Sequence, residues 1–347
     1  MNTWKDITFE KFATLENLKI SYEMASKGKR RRLSVKNMKD PIIQQMLLND
    51  LNTGRYYPRP QREMVKYDKN AKKKRVISCP AFRDQIVHWM LVETLRERFM
   101  QHFIKHSVAN IPGRGISYGT KLIKHWSQQR GTKWVLQLDV KKYYHNIDVE
   151  MLVKKFASKI RDRQVMDLIR TILYHDSGET RKGITLGSYF NQWCALFYLS
   201  DLDHFVKEQI GCSFYLRYVD DMLLLFSSKR KAQAALSRIK SELSKLGLKV
   251  KESGSGKVKI FRWGDTNFID MLGYRTYRNG KQTLRRSNYL STRRLCDRVD
   301  RGRFTPHHAR SLLSKKGFFD HSDCRNVINR INKTINKNKL KEAAKCA

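Results

Sequence analysis

Two adjacent carboxylates, Asp220 and Asp221, separate two short apolar runs, Phe214–Tyr218 and Met222–Phe226, in the order of a tight hairpin. Adjacent aspartates at a hairpin tip repel each other, and the cost falls when a divalent cation binds them. A third carboxylate, Asp139, ends the hydrophobic run Trp134–Leu138 far upstream. It comes alongside the pair if its strand joins the hairpin. Three carboxylates meeting at one point make a hard-oxygen site of the kind Mg²⁺ takes, with waters retained and substrate phosphates recruited. Two such ions about 4 Å apart activate a 3′-hydroxyl and stabilise a pyrophosphate leaving group, which is nucleotidyl transfer. One Asp at a strand end is by itself a cap or turn residue, and one Asp-Asp turn is solvated surface. Their conjunction, with the glycine-containing turn Gly183–Gln192 between them, is what points to chemistry.

The flanking elements have to position these groups. Residues 61–79 alternate around a cationic tip, Asp68 to Lys74, and predict a β-hairpin that carries Arg75. A guanidinium fork there fits phosphate oxygens bidentately, and Lys73 or Lys74 stands beside it. Residues 82–104 predict a helix with Ile86, Met90, Leu91, Leu95 and Phe99 inward, followed by a glycine-rich loop over 109–119. Asp148 is placed to cap a helix whose apolar face is Leu152, Phe156 and Ile160. Residues 191–206 are apolar nearly all round and predict one buried helix, and 231–246 an amphipathic one. Asn279-Gly280 predicts a hairpin turn between 268–277 and Leu284. Residues 1–50 predict helices, with Leu15, Leu18 and Tyr22 on one face and Ile42, Ile43, Met46 and Leu47 on another.

The 347 residues carry 71 Lys and Arg against 32 Asp and Glu, a net charge of +39. Such a load repels itself unless a polyanion relieves it, and nucleic acid is the usual one. Residues 281–347 hold 18 Lys and Arg against 5 acids and read as a cationic helical module. An apolar fraction of 40% is enough for a core, so disorder throughout is excluded. No run approaches the roughly 18 apolar residues of a membrane span, and no signal core opens the chain. The six cysteines form no CxxC pair and read as reduced thiols in a cytoplasmic protein, with a zinc site as the lesser alternative.

On these motifs the sequence resembles reverse transcriptases. Asp139 at its strand end is similar to their first palm motif, and Tyr218-Val219-Asp220-Asp221 to their YxDD box. Lys74-Arg75-Val76-Ile77-Ser78 followed by Asp84-Gln85-Ile86-Val87 resembles the fingers of the bacterial enzymes. Leu246-Gly247-Leu248-Lys249 and Met271-Leu272-Gly273-Tyr274 resemble two later palm motifs. Most members carry Gln-Gly-x-x-x-Ser-Pro in the middle motif, whereas this chain has Leu186-Gly187 and ends Asn191-Gln192. An aliphatic residue before the glycine and a final Gln are similar to the enzymes of diversity-generating retroelements, as are the opening 15–30 and Gly317-Phe318-Phe319-Asp320-His321. Asn191 departs from the Ser usual in that subfamily. Ile111 stands where relatives often carry Arg, a place Arg114 is positioned to fill.

The resemblance implies an α+β right-hand polymerase. Residues 1–130 would be fingers, with palm interleaved at about 80–108. Residues 131–278 would be a palm of antiparallel sheet backed by helices, and 279–347 a helical thumb and basic tail. It implies catalysis by Asp139, Asp220 and Asp221 on two Mg²⁺ ions, with the Val140 backbone at the metal and triphosphate. Arg75, Lys73, Tyr144, Leu186, Gly187, Gln192 and Lys249 would bind the dNTP. Tyr144 would lie under the sugar and exclude a 2′-hydroxyl, and Lys249, with Lys251 close to it, would protonate pyrophosphate. Arg285, Arg286, Arg293, Arg294, Gly273 and Tyr274 would hold nucleic acid. Leu186 cannot make the hydrogen bond a Gln makes, which weakens discrimination between right and wrong pairs. The resemblance then implies error-prone, adenine-mutagenic cDNA synthesis from a dedicated template RNA. It also implies an RNA/DNA duplex in the cleft, a small basic oligomeric accessory protein as partner, and a prokaryotic or phage-infected cytoplasm. No room for a nuclease domain is expected after the thumb. The alternatives are another prokaryotic reverse transcriptase, retron-like or phage-defence, though the retron Val-Thr-Gly triplet is absent, or a vestigial basic RNA-binding module. An RNA polymerase is disfavoured by Tyr144.

Overall fold

Strand alternation decides the centre of the molecule. The computed structural model describes residues 3–68, 73–254, 257–337 and 340. Its strands are β1 (Arg62–Asp68), β2 (Lys73–Cys79), β3 (Trp134–Leu138), β4 (Tyr215–Tyr218), β5 (Asp221–Phe226), β6 (Lys259–Arg262), β7 (Ile269–Met271), β8 (Tyr274–Thr276) and β9 (Gln282–Leu284). The central antiparallel sheet runs β4-β5-β3-β6, and β1-β2 and β7-β8-β9 form two smaller sheets. Successive side chains of a strand face opposite ways. Leu136, Leu138, Tyr215, Met222, Leu224 and Phe226 therefore join one core, while Val135, Leu216, Leu223 and Leu225 join another. The expected α+β class, antiparallel sheet backed by helices, is what the structure has.

Helix Phe82–His102 is the spine of the first core. Ile86, Met90, Leu91, Leu95 and Phe99 are all buried, as their spacing predicts. It packs against helix Leu15–Ser26 on one side and helix Tyr189–Tyr198 on the other. The second core is closed by Ile123 and Trp126 of helix Ile116–Trp126 and by Trp263, Ile269 and Met271. A third lies among helices Arg286–Asp300, Pro306–Phe319 and Arg325–Lys337, and reaches Tyr274 of β8 and Leu284 of β9. The 278/279 boundary thus falls in the turn joining two paired strands of one sheet.

Several expectations are corrected. The apolar stretch 191–206 is two helices, Tyr189–Tyr198 and Ser200–His204, leading into a π-turn at Phe205–Gln209. Helix Pro41–Asn52 buries Gln44, Leu47, Leu48 and Leu51, leaving Ile42 and Met46 exposed. Gln44 can turn inward because its Nε2 donates to the Met38 carbonyl at 3.0 Å. Leu15 is also largely exposed, whereas Leu18 and Tyr22 are buried. The loop over 109–119 is shorter than expected, because helix Ile116–Trp126 begins inside it. Asp148 caps its helix as expected, accepting from the Met151 amide at 2.9 Å. Cys79, Cys194, Cys212, Cys296 and Cys324 are free thiols, and Cys346 lies outside the described residues. No helix among the described residues is long and apolar enough to cross a membrane.

The β1-β2 hairpin meets the sheet region through one turn. Ser78 of β2 donates its amide to the Leu186 carbonyl at 2.7 Å. Gly187, at φ 118°, comes so close that a Cβ there would stand 2.1 Å from the Ser78 carbonyl oxygen. Gly187→Ala should therefore cost about 3 kcal/mol of stability through overpacking and left-handed strain. A denaturant titration checks this, and an unchanged midpoint would mean the hairpin docks there loosely.

Candidate active site

Register brings the carboxylates together. Tyr218 pairs with Asp221, so Val219 and Asp220 form a two-residue turn, with Val219 at φ 58°. Leu138 pairs with Met222, which puts Asp139, one residue on, level with Asp221 across the β3-β5 ladder. The strand-like segment 249–251 fixes the chain beyond β3. Lys141 donates to the Lys249 carbonyl at 2.8 Å, and Lys251 to the Asp139 carbonyl at 2.8 Å.

The Asp139 and Asp220 carboxyls are crowded together on the cleft wall, with Asp221 beside them. Acids held this close disfavour full ionisation. Burial first, and then the neighbouring Asp139 and Asp221, hold the Asp220 carboxyl well above the usual carboxylate range. Asp221 opens onto solvent, yet the protein around it withdraws enough water to push its carboxyl up to about 6, aided by Asp139 and opposed by Arg285 and Lys251. Lys251 Nζ stands 3.8 Å from Asp139 Oδ2, and Arg285 Nε pairs with Asp270 Oδ1 at 2.5 Å. As they stand, no three His, Cys, Asp or Glu side chains among the described residues close on one point to hold a metal ion. The expected convergence is therefore a crowded set of three carboxylates that do not yet close on one point. An all-oxygen set whose like charges repel does fit a hard divalent cation, which would relieve that repulsion. Asp139, Asp220 and Asp221 are the residues that would hold it.

These groups open onto a cleft of 1020 Å³ whose walls include Arg75, Val140, Tyr144, Leu186, Lys249 and Lys251. The hairpin thus brings Arg75 over the carboxylates. Tyr144 is half-buried, and burial raises its hydroxyl pKa well above normal. The Tyr144 carbonyl accepts from the Ile184 amide at 2.9 Å, which joins the floor of the cleft to the Gly183–Leu186 turn.

Other expected residues lie elsewhere. Gly187 and Gln192 are not among the cleft walls. Gly187 serves the hairpin junction, and Gln192 is half-buried one residue after Asn191. Asn191 is buried and donates to Asp176 Oδ2 at 2.6 Å and to the Thr185 carbonyl at 3.2 Å. The Lys73 side chain lies outside the described residues, as does all of Lys72. Arg286, Arg293 and Arg294 are exposed on helix Arg286–Asp300. Tyr274 is buried in the third core, its hydroxyl donating to the Phe318 carbonyl at 2.6 Å. Gly273 is needed because a Cβ would stand 2.6 Å from Phe318 Cζ. Both fasten the helical module to the sheet. Arg114 turns inward, its Nη1 donating to the Ile104 and Ser107 carbonyls at 2.7 and 3.1 Å. Sequence reasoning assigned nothing to Arg217 or Asp203. The signal was a lone charge in the buried run Tyr215–Tyr218, which requires a buried partner.

Comparison with known proteins follows from this geometry. The reverse transcriptase (RNA-dependent DNA polymerase) family matches residues 65–276. The group II intron-encoded protein LtrA of Lactococcus lactis subsp. cremoris is 30% identical over 171 residues, 47% of this chain and 28% of that protein. Protein YkfC of Escherichia coli is 26% identical over 175 residues, 48% of this chain and 45% of that protein. The chain thus matches less than half the length of these relatives. A structure of apo telomerase from Candida tropicalis, truncated from its C-terminal domain, superposes with a TM-score of 0.47 at 12% identity, over 68% of this chain and 59% of that one.

Crowded carboxylates weaken the metal-free fold in a defined pH window. A carboxyl whose pKa is raised on folding stabilises while protonated. That contribution is complete below the ordinary value near 4 and is lost as pH rises through about 6 for Asp221. In chelator-treated protein Tm should fall from about pH 5 to about pH 8, and Asp220→Asn should fall less. Mg²⁺ should raise Tm for the parent chain and not for the variant. Equal pH slopes with equal Mg²⁺ responses would contradict the crowding.

Proposed function

This chain belongs to the reverse transcriptase (RNA-dependent DNA polymerase) family, and from that membership we propose that it extends a primer with deoxynucleotides along an RNA template. One observation carries the reading: Asp139, Asp220 and Asp221 crowd together in a cleft walled by Arg75 and Tyr144. Divalent metal bound by these carboxylates, Mg²⁺ in the cell, supplies activation of the 3′-hydroxyl and charge for the leaving pyrophosphate.

The chain's own residues do the rest. Arg75, on the hairpin across the cleft, holds the triphosphate by its planar fork. Lys249 and Lys251 place positive charge where pyrophosphate departs, and the Val140 backbone, on the same cleft wall, would border a metal held there. The Tyr144 ring closes the space a 2′-hydroxyl would need. Arg285, Arg286, Arg293 and Arg294 follow the phosphate backbone of an RNA/DNA duplex, in keeping with the one-sided charge of the C-terminal module. In this reading the β1-β2 hairpin and N-terminal helices are fingers, the central sheet the palm and the three-helix module the thumb.

The finer reading is an error-prone enzyme of a diversity-generating retroelement, acting on a dedicated template RNA with a small basic accessory protein. Its support is Leu186, an aliphatic side chain at the cleft wall where a Gln would hydrogen-bond. A hydrogen bond worth about 1 kcal/mol corresponds to roughly fivefold in discrimination.

Two experiments follow. On an RNA-templated primer with Mg²⁺ and dNTPs, the parent chain should extend and Asp220→Asn should lose on the order of 10³-fold or more in rate. Equal extension by both would remove these carboxylates from catalysis. Sequencing the cDNA should show errors concentrated opposite adenine, reduced about fivefold by Leu186→Gln. An unchanged error spectrum would withdraw the fidelity role while leaving polymerase activity intact.

A further inference from the structure

Arg217 lies on β4, two residues before the left-handed Val219, and has no exposed surface. A guanidinium in a core is tolerated only when its donors are matched. Here Nε donates to Asp203 Oδ1 at 2.7 Å and Nη2 to Asp203 Oδ2 at 2.6 Å. Nη2 also reaches the Leu196 carbonyl at 3.1 Å, and Nη1 reaches the Val219 carbonyl at 2.7 Å. Asp203, equally buried, accepts a third bond from the Tyr215 hydroxyl at 2.7 Å. The Arg217 main chain is held on its outer side as well, its amide on the His106 carbonyl at 3.0 Å and its carbonyl on the Val108 amide at 2.9 Å. Leu196 and Asp203 belong to helices Tyr189–Tyr198 and Ser200–His204, so one side chain ties the Val219-Asp220 turn to the helical layer beneath the sheet.

The turn needs such a tie. A β-branched residue rarely adopts φ 58°, the value at Val219. The next residue, Asp220, is pressed against Asp139 and Asp221. Strain and like charge both act to open the turn, and Arg217 holds the carbonyl of its left-handed residue. A buried pair that merely filled space would be replaceable by apolar residues. This one spends a donor on the backbone of the metal-binding turn.

We propose that Arg217, clamped by Asp203, is a positioning residue: its bond to the Val219 carbonyl sets the direction in which Asp220 and Asp221 present their carboxylates to a divalent cation. The effect on rate rests on the polymerase reading, and the effect on cation binding does not. Arg217 is sealed from the cleft and touches no ligand.

The test uses the full chain with two readouts, primer-extension kinetics and the Mg²⁺ concentration that gives half the Mg²⁺-induced rise in Tm. Arg217→Lys keeps the charge and loses the fork. It should lower kcat by on the order of 10- to 100-fold, raise the Mg²⁺ midpoint about tenfold, and leave KM for dNTP within about threefold. Val219→Gly supplies a residue for which positive φ costs little. In that background the shift of the Mg²⁺ midpoint caused by Arg217→Lys should shrink to about threefold or less. A lowered Tm with kcat and Mg²⁺ midpoint unchanged would overturn the proposal, as would an equal midpoint shift in both backgrounds. If Arg217→Lys does not fold, Tyr215→Phe loosens Asp203 alone. A raised Mg²⁺ midpoint with unchanged KM then supports the proposal, and an unchanged midpoint and kcat overturns it. A parent chain that binds Mg²⁺ but extends no primer would end the polymerase reading and leave the Mg²⁺ comparison to decide this one.

Discussion

Like charges forced together at the end of an apolar sheet govern this molecule. Asp139 and Asp220 are pressed together although both are acids, and Asp221 adds to the load. Nothing in their local sequence makes that arrangement favourable. It is imposed by the strands behind them, whose buried side chains on both faces leave no freedom of register. A slip of one residue between β3 and β5 would turn Leu136 and Leu138 out of the first core, so the apolar pattern that folds the sheet also fixes which carboxylates meet.

The surroundings divide the remaining work. The β1-β2 hairpin reaches the cleft only because Gly187 lets β2 lie against the turn bearing Leu186. The C-terminal helices have their own core, fastened through Tyr274 and Gly273 to Phe318. The family match spans 65–276, yet the helices before it are integral to the first core, with Trp4, Phe12 and Leu18 buried there. Removing either flank would expose apolar surface, so the matched segment is not an independent folding unit.

What was legible in the sequence followed from local periodicity. Trp134–Leu138 and helix Phe82–His102 announce themselves by apolar pattern, and Asp148 by its place before a helical run. The three aspartates were legible because they flank buried strands, Asp139 just after β3 and Asp220-Asp221 at the turn into β5. Illegible features depend on partners distant in sequence. Ile42 and Met46 read as core because nothing local shows that Gln44 has a backbone carbonyl waiting for it. That the Tyr274 hydroxyl donates to the Phe318 carbonyl, far along the chain, has no local signature either. The four residues of β6 are too few and too mixed to show a period, whereas helix Arg163–Ser177 carries Val165, Leu168, Ile169 and Ile172 at helical spacing and was legible but not read. The bond between Arg217 and Asp203 joins a strand to a helix, and the lone charge in a buried run shows that a partner is needed without showing which residue it is.

The central claim is that the carboxylates at the mouth of this sheet are a cation site in waiting. Crystals of the full chain soaked in Mn²⁺, with data collected at the manganese edge, address it directly. An anomalous peak about 2.1 Å from oxygens of both Asp139 and Asp220 is the expected result. Manganese found only elsewhere, with none at Asp139 and Asp220, would contradict it.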